Sequence, residues 1–479
     1  MRLVLSLAMS VGLTALGTAA CGETLQGALA RAYQTNPTLN ATRAGQKATD
    51  EQIPLARSRG LPSASATVTY TQQFESAISS FSNPLRTGDG NVGLTVPIYS
   101  GGATKNSIRA ADVRSDAGRA SLRGTESSVF SQVVAAYMDV IQNEALVGLN
   151  SQQVKVLDVN LQATRDRFQV GDLTRTDIAQ SEARLAAAEA NLESAQANLI
   201  GARETYVRLV GVAPVALEQP PVLPYFPDSP DAAVTTALAH NPDLIAANKA
   251  VEAARYDTAV AKAARLPTLA GTAQANYVNY FDSLKTTSTF FQPGQVYKTA
   301  SAGLRLTIPL YQGGGPSAQV RASNDRTSQA IENAIATERS IIAQARSAYA
   351  SWRASNEVIV SSQKQVAATE LSLEGVKAEN SVGNRTILDI LNAEQELLTA
   401  KSQLIQAQRN AYVAGFTLLA AMGKAEAREL GLEGGALYDP LANYNSAHRH
   451  LSDWSDGAAP HAQSTRTIDI PTQTPALTK

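Results

Sequence analysis

Cysteine occurs once, at position 21, so neither an intrachain disulfide nor a thiolate metal cluster can form. Histidine occurs four times, and three of the four (His448, His450 and His461) lie near the C-terminus, which argues against a histidine-built metal core. Charged residues make up 17% of the 479, below the roughly 25% of ordinary soluble proteins. The 41 basic and 42 acidic residues leave a net charge of -1, which excludes a general nucleic-acid binder, since that needs a basic surplus. Beyond the first twenty residues no apolar run reaches the ~18 residues of a membrane-crossing helix. No Ser-His-Asp pattern, phosphate loop or metal-ligand spacing is present, so the chain reads as no enzyme, with no cofactor and no resident metal. Proline is missing from residues 98–213 and again from 317–439, although the chain has 20 of them.

The N-terminus has a basic Arg2, an apolar stretch from Leu3 to Leu16 and a small-residue zone from Gly17 to Gly22, the pattern of a secretory signal peptide over 1–22. Cleavage before Glu23 would discard Cys21. The rival reading, a lipidated Cys21, has Thr18 where a lipobox normally carries leucine.

An internal repeat organises the remainder. Asn36-Pro37 returns as Asn241-Pro242 and Leu61-Pro62 as Leu266-Pro267, both 205 residues on. Val96-Pro97-Ile98-Tyr99 returns as Ile308-Pro309-Leu310-Tyr311 at an offset of 212, which then holds through Val170-Gly171 and Val382-Gly383, Asp177 and Asp389, and Gly211 and Gly423. The two halves, 23–213 and 231–429, are therefore expected to share one fold. A Pro-rich linker (214–230) joins them, and a C-terminal segment (430–454) and a Pro/Thr/Ser/Ala-rich tail (455–479), expected to be disordered, follow.

The proline-free runs, rich in Ala, Leu, Gln, Glu and Arg, read as long helices. Each breaks once, at Gln169-Val170-Gly171-Asp172 and at Ser381-Val382-Gly383-Asn384, so each is a helical hairpin. The arm over 103–168 is longer than its return over 174–212, and 37–61 makes up the shortfall. Two shorter helices stacked end to end should line one long one, and 242–266 with 386–424 repeat the pattern. Between the helices, apolar and polar residues alternate. Ala64, Ala66, Val68 and Tyr70 face one way, as do Val92, Leu94, Val96 and Ile98; Ala273, Ala275 and Tyr277; and Ala302, Leu304 and Leu306. On an exported chain without a membrane helix, such strands suit an outer-membrane barrel. Four strands cannot close one, so several chains must contribute. Arg305 falls on the polar, lumenal side, where it either tunes the passage or merely keeps it hydrated. Tyr70, Tyr277, Tyr280 and Phe281 suit an aromatic girdle. Trp352 and Trp454 are expected as packing or interface anchors.

The Asn-Pro before a helix, the Leu-Pro before a strand, the Pro-(Ile/Leu)-Tyr-x-Gly-Gly leaving a strand and the Val-Gly-x-x-Thr-x-x-Asp turns together resemble the TolC family of outer-membrane efflux proteins over about residues 24–455. Leu437-Tyr438-Asp439-Pro440 and Asn443-Tyr444 look closest to the branch serving protein secretion and general efflux. The resemblance implies an α+β membrane protein in which each chain of a homotrimer gives four β-strands to one 12-stranded outer-membrane barrel. A long α-helical periplasmic barrel continues it, closed at its inner tip. It also implies a passive exit duct in the outer membrane of a Gram-negative bacterium, contacting lipid there. The duct would dock a periplasmic adaptor and an inner-membrane pump or ABC exporter. The adaptor would touch the hairpin tips at Val170, Gly171, Leu173, Thr174, Val382, Gly383 and Thr386. Carried over by position, Asp177 and Arg385 match the acidic and basic partners of the family's gate, and Asp389 matches a constricting aspartate whose copies form a ring. Asn392 stands where a second constricting aspartate is usual, and Asn380 where a tyrosine is common. Such a carboxylate ring would attract cations, so divalent ions should block the entrance. Against this, Thr174-x-x-Asp177 and Thr386-x-x-Asp389 both also fit a plain helix capping box. A periplasmic coiled-coil or adaptor protein without a pore is the competing reading for the chain as a whole.

Overall fold

The computed structural model describes residues 22–75, 84–224, 226–284, 293–432, 437–450 and 452–476. The leader, including Cys21, lies outside the described residues apart from Gly22. In chain order the first half holds α1 (Leu25–Thr35), α2 (Pro37–Asp50), α3 (Gln52–Ser58), β1 (Ser63–Gln72), β2 (Arg86–Tyr99), α4 (Ala103–Gln169) and α5 (Arg175–Val210). The second half holds α6 (Pro230–His240), α7 (Pro242–Ala263), β3 (Thr268–Asn279), β4 (Val296–Thr307), α8 (Gly315–Ser381) and α9 (Ile387–Ala421), and α10 (Pro440–Ala447) follows.

The repeated Asn-Pro has a double task. Proline pre-sets the first helical turn, where its missing N–H costs nothing. The Asn36 side chain accepts from the backbone N–H groups of Thr38 and Leu39, and its amide donates to the carbonyl of Leu209 at the end of α5. Asn241 repeats this at the start of α7, accepting from Asp243 and Leu244 and donating to the Ala421 carbonyl of α9. One side chain thus caps one helix and ties it to the end of another. That is the end-to-end stacking the lengths call for: α2 continues α5, and α7 continues α9, each pair running beside a 67-residue helix. At ~1.5 Å per residue those long helices reach ~100 Å.

The strands form one antiparallel sheet in the order β1-β2-β3-β4. Its register sorts the side chains completely. One face carries the row Val68, Gly90, Tyr277 and Lys298 and the row Ala64, Leu94, Ala273 and Ala302; the other carries Thr67, Asn91, Asn276 and Thr299, and Ser65, Gly93, Gln274 and Ser301. Arg305 lies on the polar face opposite Ala270. The apolar face is uncovered: Val68 is 86% exposed and Leu304 73%. Both edge strands, β1 and β4, are without a further partner among the described residues.

The main core lies where α1, α4, the upper part of α5 and the end of α9 meet, around Phe130, Val133, Tyr137, Leu199, Tyr206 and Phe416. The Tyr137 hydroxyl donates toward the carbonyls of Glu23 and Glu218, pinning the start of the chain and the inter-repeat linker to α4. Trp352 stacks on Phe226 at 4.3 Å, a packing anchor as expected. Trp454 is 95% exposed and packs against nothing among the described residues of its own chain. The tail departs from its expected disorder. The Arg203 guanidinium, 4% exposed, donates to the carbonyls of Thr474 and Ala476 and pairs with Glu144, and the Gln473 N–H donates to Glu204. Farther up, Asn40 donates to Ser464. A buried guanidinium must have acceptors, and the tail's backbone supplies two.

Candidate gate at the hairpin tips

Both hairpins turn by the same device. Gly171 and Gly383 each sit at φ +84, a conformation that favours glycine, and close a Schellman-type turn through Asp172 N–H to Arg167 and Asn384 N–H to Glu379. Val170, Leu173, Val382 and their neighbours are thereby presented at the tip, with Val170 81% and Val382 71% exposed. One ion pair staples each turn, with reversed polarity between the repeats. In the first Arg167 meets Asp172; in the second Arg385 donates to Glu379 at 2.7 Å.

The returning helices start with complete capping boxes. Thr174 Oγ1 accepts from the Asp177 N–H while the Asp177 carboxylate accepts from the Thr174 N–H and hydroxyl, and Thr386 with Asp389 repeats each contact. The Thr174 backbone N–H, then its hydroxyl, hold the Asp177 carboxyl below its ordinary value. The Thr386 backbone N–H and hydroxyl, with a smaller contribution from Arg385, do the same for Asp389. Within the chain Asp177 and Arg385 are therefore not joined to each other: each is satisfied inside its own hairpin.

The link between hairpins falls elsewhere. The Arg184 guanidinium on α5 donates to Asn392 Oδ1 on α9 at 2.8 Å. Beside it, Glu394 is 3% exposed and receives Lys377 of α8 at 3.1 Å and the Asn160 amide of α4 at 2.9 Å. An apolar seam of Leu157, Ala188 and Leu391 closes the same level. Of the sequence-predicted gate residues, only Asn392 bridges the hairpins. Its partner Arg184, together with Asn160, Lys377 and Glu394, escapes sequence reasoning. The repeat register does hold part of the signal, because Arg165 pairs with Glu182 across the first hairpin and Lys377 with Glu394 stands 212 residues later at the same place. Among the described residues no group of histidine, cysteine, aspartate and glutamate is placed to hold a metal, and no helix is long and apolar enough to cross a membrane.

A four-stranded sheet with one face apolar and bare and the other polar, carried on two ~100 Å helical hairpins, defines the class of outer-membrane channel with a periplasmic helical tunnel. The family model described as "Outer membrane efflux protein" matches residues 28–212 and 233–424, and the chain belongs to that family. It is 34% identical over 445 residues to the outer membrane efflux protein BepC of Brucella suis biovar 1, covering 93% of this chain and 95% of that one. Its identity to the outer membrane protein TolC of Escherichia coli K12 is 26% over 455 residues, covering 92% and 90%. The fold agrees with the Campylobacter jejuni CmeC outer membrane channel at a TM-score of 0.74, with 16% identity, over 94% of this chain and 98% of that one. The protein is thus an outer-membrane exit duct of the kind that serves efflux and type I secretion, with a large periplasmic part. The competing reading, a periplasmic coiled-coil protein without a pore, falls with that membership.

Proposed function

We propose that the duct is a homotrimer whose tip is a passive gate, opened when a periplasmic adaptor and an inner-membrane pump or ABC exporter engage it. The observation that carries the reading is the open sheet. Its polar face needs water, its apolar face needs lipid, and its two free edges need partners. Three copies joined β4 to β1 would close a 12-stranded barrel with Arg305 in the lumen. The helices support the same closure. Along the tunnel the order α5-α4-α9-α8 leaves α5 and α8 as flanks, and α8 buries few side chains within its own chain.

At the tip, the copies of Asp389 would face one another around the axis, and Arg184 with Asn392 would hold each protomer's two hairpins together. The tips themselves, Val170 to Thr174 and Val382 to Thr386, are the surface offered to the adaptor. The test is single-channel conductance of the detergent-purified protein in a planar bilayer. Small discrete steps, reduced by millimolar divalent cations in the wild type and not in Asp389→Ala, are the expected result. Steps indifferent to divalent cations would remove the ring, and a monomeric protein without steps would remove the trimeric duct.

A further inference from the structure

The lipid-facing side of the sheet carries almost no charge, and what it carries is all of one sign and at one end. By register this face runs through Ala64 to Gln72 on β1, Arg86 to Val96 on β2, Leu269 to Asn279 on β3 and Val296 to Leu306 on β4, taking alternate residues. On this face of the strands only Arg86 and Lys298 are charged, and both are exposed. Both lie toward the end of the sheet away from the helices, which is the outer rim. No acidic residue of the four strands shares that face, since Asp89 alternates onto the lumenal side; the exposed Glu75 and Asp282 stand in the loops beyond the strand ends.

The surroundings of the two cations fit a headgroup layer. Lys298 Nζ lies 5.6 Å from the centre of the Tyr277 ring, its neighbour in the same row. Tyr70, two strands from Tyr277 on β1, meets Phe281 edge-on at 5.9 Å. Arg86 has its backbone fixed from both sides: its N–H donates to Ser283 Oγ, which donates in turn to the Arg86 carbonyl. The vertical distance agrees. Nine residues separate Gly90, in the Lys298 row, from Tyr99 at the periplasmic end. At ~3.3 Å per residue and a tilt of ~40° that is about 23 Å, close to the ~25 Å apolar band of an outer-membrane barrel. Tyr99 marks the lower border, and among the described residues no cation–π contact is made to its ring. The asymmetry is therefore in charge and not in aromatic content.

We infer that Arg86 and Lys298, framed by Tyr70, Tyr277 and Phe281, form a binding surface for the phosphate groups of outer-leaflet glycolipid. Arg86 lies four residues beyond the Lys298 row and two strands away, about 16 Å across the sheet, so the two cations would meet separate phosphate groups of a diphosphorylated headgroup, while the rings cover its sugar and the first acyl carbons. An uncharged or zwitterionic headgroup gains none of the net attraction. The inference rests on the trimeric-barrel reading.

Native mass spectrometry of the detergent-purified trimer, with added diphosphoryl lipid A or the same lipid dephosphorylated, tests it. The wild type is expected to retain the phosphorylated form in preference. Each of Arg86→Ala and Lys298→Ala should weaken that preference about fivefold, in line with the worth of one basic residue at an anionic surface. Lys298→Arg should restore it, and Arg305→Ala, on the lumenal face, should leave it unchanged. Excess inorganic phosphate should not displace the lipid; displacement by it would mean a bare anion site and overturn the lipid assignment. Equal retention of both lipids by a trimer of normal conductance would overturn the rim while leaving the duct standing. A monomer without conductance would remove the barrel itself.

Discussion

Replacing Asn392 by aspartate separates two roles for this position. Its side chain accepts from Arg184 at 2.8 Å, so a carboxylate there turns a neutral acceptor into an ion-pair partner. Both groups are exposed, and an exposed pair is worth about 0.5 kcal/mol. In the proposed trimer three copies would make about 1.5 kcal/mol, roughly a tenfold shift of the opening equilibrium toward closed. Removing the donor, Arg184→Ala, should shift it by a similar amount toward open. In the double variant the new carboxylate has no guanidinium to meet, so the two effects should be strongly non-additive. The opposing role is that of a second acidic ring beside Asp389, in which like charges repel and the tip loosens. Open probability in planar bilayers at low salt, for the wild type and these three variants, decides between them. A raised open probability in Asn392→Asp with Arg184 intact would refute the link between hairpins and favour the ring. Molar salt should shrink the effect of Asn392→Asp in either case.

Further outcomes follow from the caps and the tail. The Asp177 and Asp389 carboxyls titrate below their ordinary value because threonine N–H and hydroxyl groups favour the charged form. Their stabilisation is therefore complete above the unfolded aspartate value of about 4 and is lost as pH falls through the lower folded value. Hydrogen-exchange protection of the first turns of α5 and α9, corrected for intrinsic rates, should hold from pH 7 to 5 and collapse only in stronger acid; a loss already at pH 5 would contradict the cap assignment. Thr386→Ala should remove that protection at neutral pH while leaving the turn at Gly383 intact, a difference the same exchange data report. Arg203→Ala withdraws donors from Thr474 and Ala476 and should release the tail, raising its proteolytic cleavage at least about tenfold for ~1.5 kcal/mol of lost hydrogen bonding. An unchanged cleavage rate would mean that the tail is held by other contacts. Tyr137→Phe removes the hydroxyl donor from the Glu218 carbonyl and leaves the Glu23 carbonyl with the Glu218 N–H alone, and should cost about 1–2 kcal/mol in thermal unfolding.

What the sequence discloses here depends on how far apart the interacting residues are. Local periodicity is enough for the strands, because alternation records which face meets lipid, and for α4 and α8, because a helix this long needs an uninterrupted proline-free run. The Asn-Pro motifs are legible as helix starts, but not as joints, since the second half of their task lies 173 and 180 residues away at Leu209 and Ala421. The 11-residue helices α1 and α6 have no counterpart in a reading built on long runs. At the gate, the capping boxes are visible because both partners sit three residues apart. The link between Arg184 and Asn392 is not visible, because 208 residues separate them and neither belongs to a local pattern. The tail misleads for the same reason. Its composition suits disorder, and what orders it is a buried arginine some 270 residues upstream.

Duplication has produced two hairpins of one fold with unequal surroundings, and the inequality bears on which hairpin moves. In the first, α4 buries side chains along most of its upper half, α1 and the linker close over it, and the tail is fastened to α5 through Arg203. In the second, the buried residues of α8 are sparse beyond Tyr349, with Ser362 the last of them, while Leu371 is 71% exposed. A helix with few buried side chains near its tip has less to lose when it shifts against its neighbours. Near the tip the contacts that restrain α8 include its packing on α9, the Arg385–Glu379 pair at the turn and the Lys377 pair with the buried Glu394, whose other partner, Asn160, belongs to the better-anchored α4. Lys377→Met should therefore loosen the α8–α9 hairpin before the α4–α5 hairpin. Exchange protection should fall first around residues 375–395, with 163–183 following little or not at all. Equal loss in both would place the restraint in the α5–α9 contact instead and make the two hairpins a single moving unit.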